Sequence, residues 1–99
     1  MDVLRVRSNT EVKRLASAII MALTSVNQIE VTAIGASAVN QAVKGIASAN
    51  GIAATSNHIL QCTPFFKIVT LDQADKKEDV GTERTAIVFL VTKAVVGSK

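Results

Sequence analysis

One helical pattern, held between two short β-branched runs, constrains this chain more than any other feature. Val12, Leu15, Ala16, Ile19, Leu23 and Val26 recur at three- and four-residue spacing, the period of a helix with a single buried stripe. Ser8-Asn9-Thr10-Glu11 stands directly before it and has the form of a capping box. Ser8 would accept from the Glu11 amide, and the Glu11 carboxylate would reach back to the amide of Ser8. The spacing predicts a helix of about four turns that ends near Asn27. Before it, Val3 to Val6 alternates Leu4 and Val6 with Arg5 and Arg7, as a strand does. After it, Ile29 to Ile34 is short and rich in β-branched residues, a second strand.

Gly35 breaks that strand, and Ala36 to Asn50 reads as a second helix with Val39, Val43, Ile46 and Ala47 on its buried stripe. Asn50-Gly51 supplies a C-terminal stop, because glycine tolerates the left-handed conformation found there. Gly45 inside the helix costs up to ~1 kcal/mol against alanine, so it marks a close packing contact. Ile52 to Ala54 and His58 to Leu71 read as extended, with Pro64 implying a sheet edge or a bulge. Asp72 to Thr82 is a polar, charged loop, Arg84 to Lys93 is the last strand of a hairpin, and Ala94 to Lys99 is a loose tail. The order βαβαββ gives one α/β domain over residues 1–99, an α+β two-layer sandwich. Right-handed crossovers set both helices on one face of a four-stranded mixed sheet. The last strand is apolar on both faces, with Ile87, Phe89 and Val91 on one and Ala86, Val88 and Leu90 on the other. Two helices cover one side only, so the second face implies a homo-oligomer.

The core must be aliphatic. Hydrophobic residues make up 48% of the 99-residue chain, yet Phe65, Phe66 and Phe89 are its only aromatic residues. A protein that grips single strands by stacking many bases needs more exposed rings than that. Cys62 is alone, which excludes an internal disulfide and a cysteine-based metal cage and fits a reducing compartment. No secretory leader pattern and no apolar run of the ~20 residues a membrane span requires is present, so a cytoplasmic protein without a membrane partner is expected. His58 and Cys62 lie four apart on one strand, but neither a metal site nor a nucleophilic triad has its remaining members. Cys62 reads as a small buried hydrophobe. The acids Asp75, Glu78 and Asp79 lack the spacing and central glycine of a calcium loop. With no catalytic constellation, no metal site and no cofactor signature, binding is expected rather than catalysis.

The net charge of +3 is unevenly spread. Basic residues lead in the first half and after Arg84, whereas Asp72, Asp75, Glu78, Asp79 and Glu83 make the segment between acidic. Gly35-Ala36-Ser37-Ala38-Val39-Asn40-Gln41 joins a strand to a helix start, where free amides and the helix dipole attract a phosphate. Taken alone it reads first as ordinary turn chemistry, since it matches neither a Walker loop nor a dinucleotide fingerprint. Lys44 lies one turn beyond Asn40 on the same face. The first helix repeats the arrangement, with Arg7, Ser8 and Asn9 at its start and Lys13 one turn beyond Asn9. Two such helix starts at one end of a sheet form a coherent anion-binding surface.

Ile34 to Lys44, together with Val3-Leu4-Arg5-Val6 and Glu83-Arg84-Thr85-Ala86-Ile87, resembles the stage V sporulation protein S family, whose fold is similar to that of the Alba chromatin and RNA-binding proteins. The resemblance implies a small, cytoplasmic, non-enzymatic, dimeric regulator of nucleic acid linked to spore development, with an Alba-like fold. Its backbone-binding element would be Gly35 to Lys44, joined by Arg84. The segment 72–82 looks longer and more acidic than that family's hairpin, and Arg7 and Lys13 stand nearest to the lysine pair that Alba proteins carry after the first strand. The expected interface is then Arg7, Lys13, Lys44 and Arg84 on phosphates, with Ser8, Asn9, Ser37, Asn40 and Gln41 donating hydrogen bonds around the two helix starts, the second of which opens at Gly35. Such contacts position a protein without reading sequence, so DNA or RNA would be bound with weak specificity. A protein-interaction module of a developmental pathway is the alternative.

Overall fold

Strand alternation decides where the core lies. Leu4 and Val6, then Ile29, Val31 and Ala33, turn their side chains to the same side of the sheet, and these are the residues packed in the core. Their alternates Arg5, Gln28, Glu30 and Thr32 face the other way. The computed structural model describes residues 2–70 and 83–96. It comprises β1 (Val3–Val6), α1 (Val12–Ala22), β2 (Gln28–Ala33), α2 (Ala36–Ala54), β3 (His58–Thr70) and β4 (Glu83–Val95). The strand order is β1-β2-β4-β3, with β1 parallel to β2 and the other pairs antiparallel. This is the four-stranded mixed sheet with two helices expected from the sequence, and it is consistent with an Alba-like architecture. No helix among the described residues is long and apolar enough to cross a membrane.

The two helices cover one face of the sheet. From α1, Leu15, Ala16, Ile19 and Leu23 enter the core beside Ala38, Ala42, Ile46, Ala49 and Ala53 of α2. The helices approach closely at Gly45, where an added methyl group would lie 2.6 Å from Leu15 Cγ. The close contact expected at this glycine is therefore present.

Several helix boundaries differ from expectation. The capping box does not form. Instead Thr10 closes the turn that precedes α1, its hydroxyl accepting from the Arg7 amide at 2.7 Å, while Glu11 turns aside to Arg14 at 3.3 Å. Helix α1 stops at Ala22 rather than near Asn27, because Lys93 reaches from β4 and donates to the Leu23 carbonyl at 2.6 Å, a cation at the negative end of the dipole. Helix α2 runs through Asn50-Gly51 to Ala54, so Ile52 to Ala54 is helical rather than extended. The left-handed residue is Asn57, at φ 62°, and not Gly51. The buried stripe of α2 is made of its small residues, and Val43 and Ala47 are exposed.

Strands β3 and β4 are each 13 residues long, whereas β2 pairs only with Ile87–Thr92 of β4. The remainder of the hairpin extends past the sheet body as a two-stranded arm, and the molecule is elongated, 54 × 21 × 21 Å. Pro64 lies on β3, the edge strand, as expected. The Lys93 amide donates towards β2, to the Asn27 carbonyl, and the amide of its β3 partner Leu60 donates outward to Asn50 Oδ1 at 2.9 Å. Since this orientation alternates along an antiparallel pair, the Pro64 nitrogen also faces outward, and its missing N–H costs no ladder bond.

Three further expectations are corrected. Cys62 is exposed, not buried, because it lies on the edge strand beside an open groove between α2 and β3. Residues 94 and 95 belong to β4 instead of a loose tail, since Ala94 and Val95 pair with Ile59 and His58. On the face away from the helices, Ala86 and Val88 are fully buried within the chain itself, so these two residues add nothing to an exposed apolar surface there. The loop expected over 72–82 lies outside the described residues.

Candidate functional site

Because β1 and β2 are parallel, α1 and α2 begin at the same end of the sheet. Gln41 ties the two starts together, its Nε2 donating to the Thr10 carbonyl at 2.8 Å. Neither N-cap residue, Glu11 nor Gly35, gives its helix a side-chain hydrogen bond, and neither first turn contains an acid. The first amides of each helix therefore point outward without a side-chain acceptor, where a bound anion can take them. Glu11, the N-cap residue of α1, has its carboxylate held by Arg14 at 3.3 Å. Gly35 takes φ +92°, a conformation that suits glycine, and a Cβ there would meet nothing within 4 Å among the described residues. The approach to the α2 amides is open.

Arg7, Ser8 and Asn9 lie exposed in the turn before α1, and Lys13 is exposed in its first turn. Ser37, Asn40 and Lys44 are exposed along one flank of α2. Asn40 donates to Gln41 Oε1 at 3.5 Å. The structure thus gathers nine of the ten expected residues around the joined helix starts. Arg84 is placed differently. Ile87 pairs with Ala33 at the end of β2, so Arg84 lies beyond it on the arm, at the same end of the molecule. It is in step with Ala86 and Val88 along β4, which sets it on the face turned away from the helices.

His58 and Cys62 share the helix-side face of β3, and among the described residues no group of three or more His, Cys, Asp or Glu is placed to hold a metal ion. A shallow groove beside Cys62 is lined by Val43, Ile46, Ala47, Leu60 and Phe89. It runs into an exposed apolar strip on the arm, where Phe66 is 75% and Ile68 is 68% exposed. The residue-level expectations omitted these two. Their even spacing along β3 was the signal, but it has meaning only once the helices are known to stop short of the arm.

Residues 2–94 match the family described as Stage V sporulation protein S (SpoVS). The chain belongs to this family. The SpoVS match covers both helix starts and the described sheet up to Ala94, the arm included, so the candidate site and its scaffold fall within one family unit. The segment Ile34–Lys44, on which the resemblance rested, is the α2 start itself.

Proposed function

We propose that this SpoVS family member binds the sugar-phosphate backbone of DNA or RNA through the joined starts of α1 and α2, acting as a cytoplasmic, non-enzymatic regulator in sporulation or development. The observation that carries the reading is the pair of outward-pointing helix N-termini, linked by Gln41 and Thr10 and surrounded by Arg7, Lys13, Arg14 and Lys44. Amides and cations together suit phosphate oxygens. Serine, asparagine and glutamine side chains add contacts that fix register but do not distinguish bases.

The working unit is a homodimer. The apolar surface that a second copy would cover is the strip formed by Val43, Phe66 and Ile68, not the sheet face that the sequence suggested. Exposed apolar side chains in a continuous strip favour association, and a two-fold would place two sets of helix starts on one assembly.

Fluorescence anisotropy with labelled duplex DNA and duplex RNA, at low and moderate salt, tests the reading. Log K is expected to fall with log salt at a slope of roughly −0.9 for each phosphate neutralised on duplex DNA. Absence of binding at low salt rejects it. Salt-insensitive capture of a specific protein partner, with nucleic acid ignored, would support an interaction module instead.

A further inference from the structure

The sheet face away from the helices is covered by neither helix. Across the row nearest the helix starts, Arg5 pairs with Thr32, Thr32 with Val88 and Val88 with Phe65. All four side chains therefore share that open face, with Arg5 and Phe65 roughly 14 Å apart across three strand spacings. Phe65 is 40% exposed, whereas Val88 beneath it is fully buried. One step further out, Lys67 pairs with Ala86 and Val69 with Arg84, so Lys67 and Arg84 lie on the same face. The row behind contributes Glu30, which Lys67 approaches at 3.7 Å, and behind that come Gln61, Gln28 and Thr92. Glu30 is the single carboxylate among the described strand residues of this face, against Arg5, Lys67 and Arg84.

A sheet face with an exposed ring and cations beside it is chemically matched to an unpaired nucleotide. The ring presents a flat surface to one base, Lys67 two residues along β3 presents charge to its phosphate, and Arg5, three strand spacings away, is placed for a neighbouring nucleotide. Duplex offers no free base face to a ring standing on a sheet. We infer that the open face of this sheet is a second nucleic-acid surface, specific for single strands, with Phe65 stacking one base between Arg5 and Lys67. The inference rests on the reading given above, because the strand would pass from the helix starts onto this face at their shared end. With one ring available, it takes one stacked base and not a long tracked strand. The two adjacent phenylalanines then divide the work, Phe65 facing nucleic acid and Phe66 facing the second copy.

The chain contains no tryptophan or tyrosine, so a Phe65→Trp variant carries a unique fluorophore. Titrated with an oligothymidylate of about twelve nucleotides, a length within the span such surfaces engage, its emission should be quenched strongly. A duplex of equal length should leave it nearly unchanged, as should single strand added to a Phe66→Trp variant. In a parallel anisotropy assay, Phe65→Ala should weaken single-strand binding about tenfold and leave duplex binding intact. Quenching by duplex as strong as by single strand, equal quenching at position 66, or an unchanged ratio of single-strand to duplex affinity in Phe65→Ala would overturn the inference. In those cases duplex binding at the helix starts would still stand. Loss of all binding in the unmodified protein removes both.

Discussion

Glycine plays two different roles in this small chain. At Gly35 the backbone conformation requires it, and at Gly45 the space does. A methyl group at Gly45 would meet Leu15 Cγ at 2.6 Å and Leu15 Cβ at 3.2 Å, and Leu15 is itself buried. Gly45→Ala gains up to ~1 kcal/mol of helix propensity but overpacks the α1–α2 contact by about 1–3 kcal/mol. The second effect wins. A drop in the urea midpoint is expected, and Leu15→Ala in the same chain should cost less than it does alone, because the two substitutions share one space. Lys44 is a different kind of residue, exposed and outside the core. Lys44→Ala should leave the urea midpoint within about 0.5 kcal/mol while flattening the salt dependence of duplex binding by about one charge. Anisotropy at several salt concentrations measures that slope directly.

At the scale of elements, the sequence was legible where polarity contrasts were strong. The α1 stripe, the alternation in β1 and the hairpin all stand out against polar neighbours, and each is present. Helix α2 was harder, because alanine, serine and glycine fill most of its length and periodicity says little among small residues. Its buried side, Ala38, Ala42, Ile46, Ala49 and Ala53, is defined by what lets it lie close to α1, not by hydrophobic bulk. Helix ends were misread for a related reason: long-range partners decided them. Lys93 meets the end of α1 from 70 residues away in sequence, and Thr10 displaces the expected cap. Asn50-Gly51 resembles a stop signal, yet Asn50 spends its side chain on the Leu60 amide of β3. Asn50→Ala should therefore leave a partly buried donor unmet and cost about 1 kcal/mol. Asn50→Asp keeps the acceptor and should retain most of the stability. Urea denaturation with an unchanged m-value separates these outcomes. The helix-start site was readable for the same reason α1 was, since strand–polar turn–helix is a local pattern. The open-face residues Arg5, Phe65 and Lys67 were not grouped, because strand order and register bring them together and neither is written locally.

The whole molecule divides its chemistry among three surfaces. One end carries the helix starts, the helix-side of the arm carries exposed Phe66 and Ile68, and the open sheet face carries cations around Phe65. If the apolar strip is where two copies meet, Phe66→Glu should yield a folded monomer by analytical ultracentrifugation. Duplex affinity should then fall through loss of the second site on the same particle, while circular dichroism stays that of the parent. A Phe66→Glu protein that sediments like the unmodified one would overturn the assignment of this strip to a second copy.

The outward edge of β3 is long and exposed, and such a strand is the usual starting point for unwanted growth of one sheet onto another. Along this edge the Leu60 amide is already taken by Asn50, and Pro64 has none to give. An incoming strand would find two of the regularly spaced donors missing near the body of the molecule and could align only along the distal arm. Proline and asparagine thus act as a pair of blanks in an otherwise repeating template. They deny fibrils a continuous edge to copy.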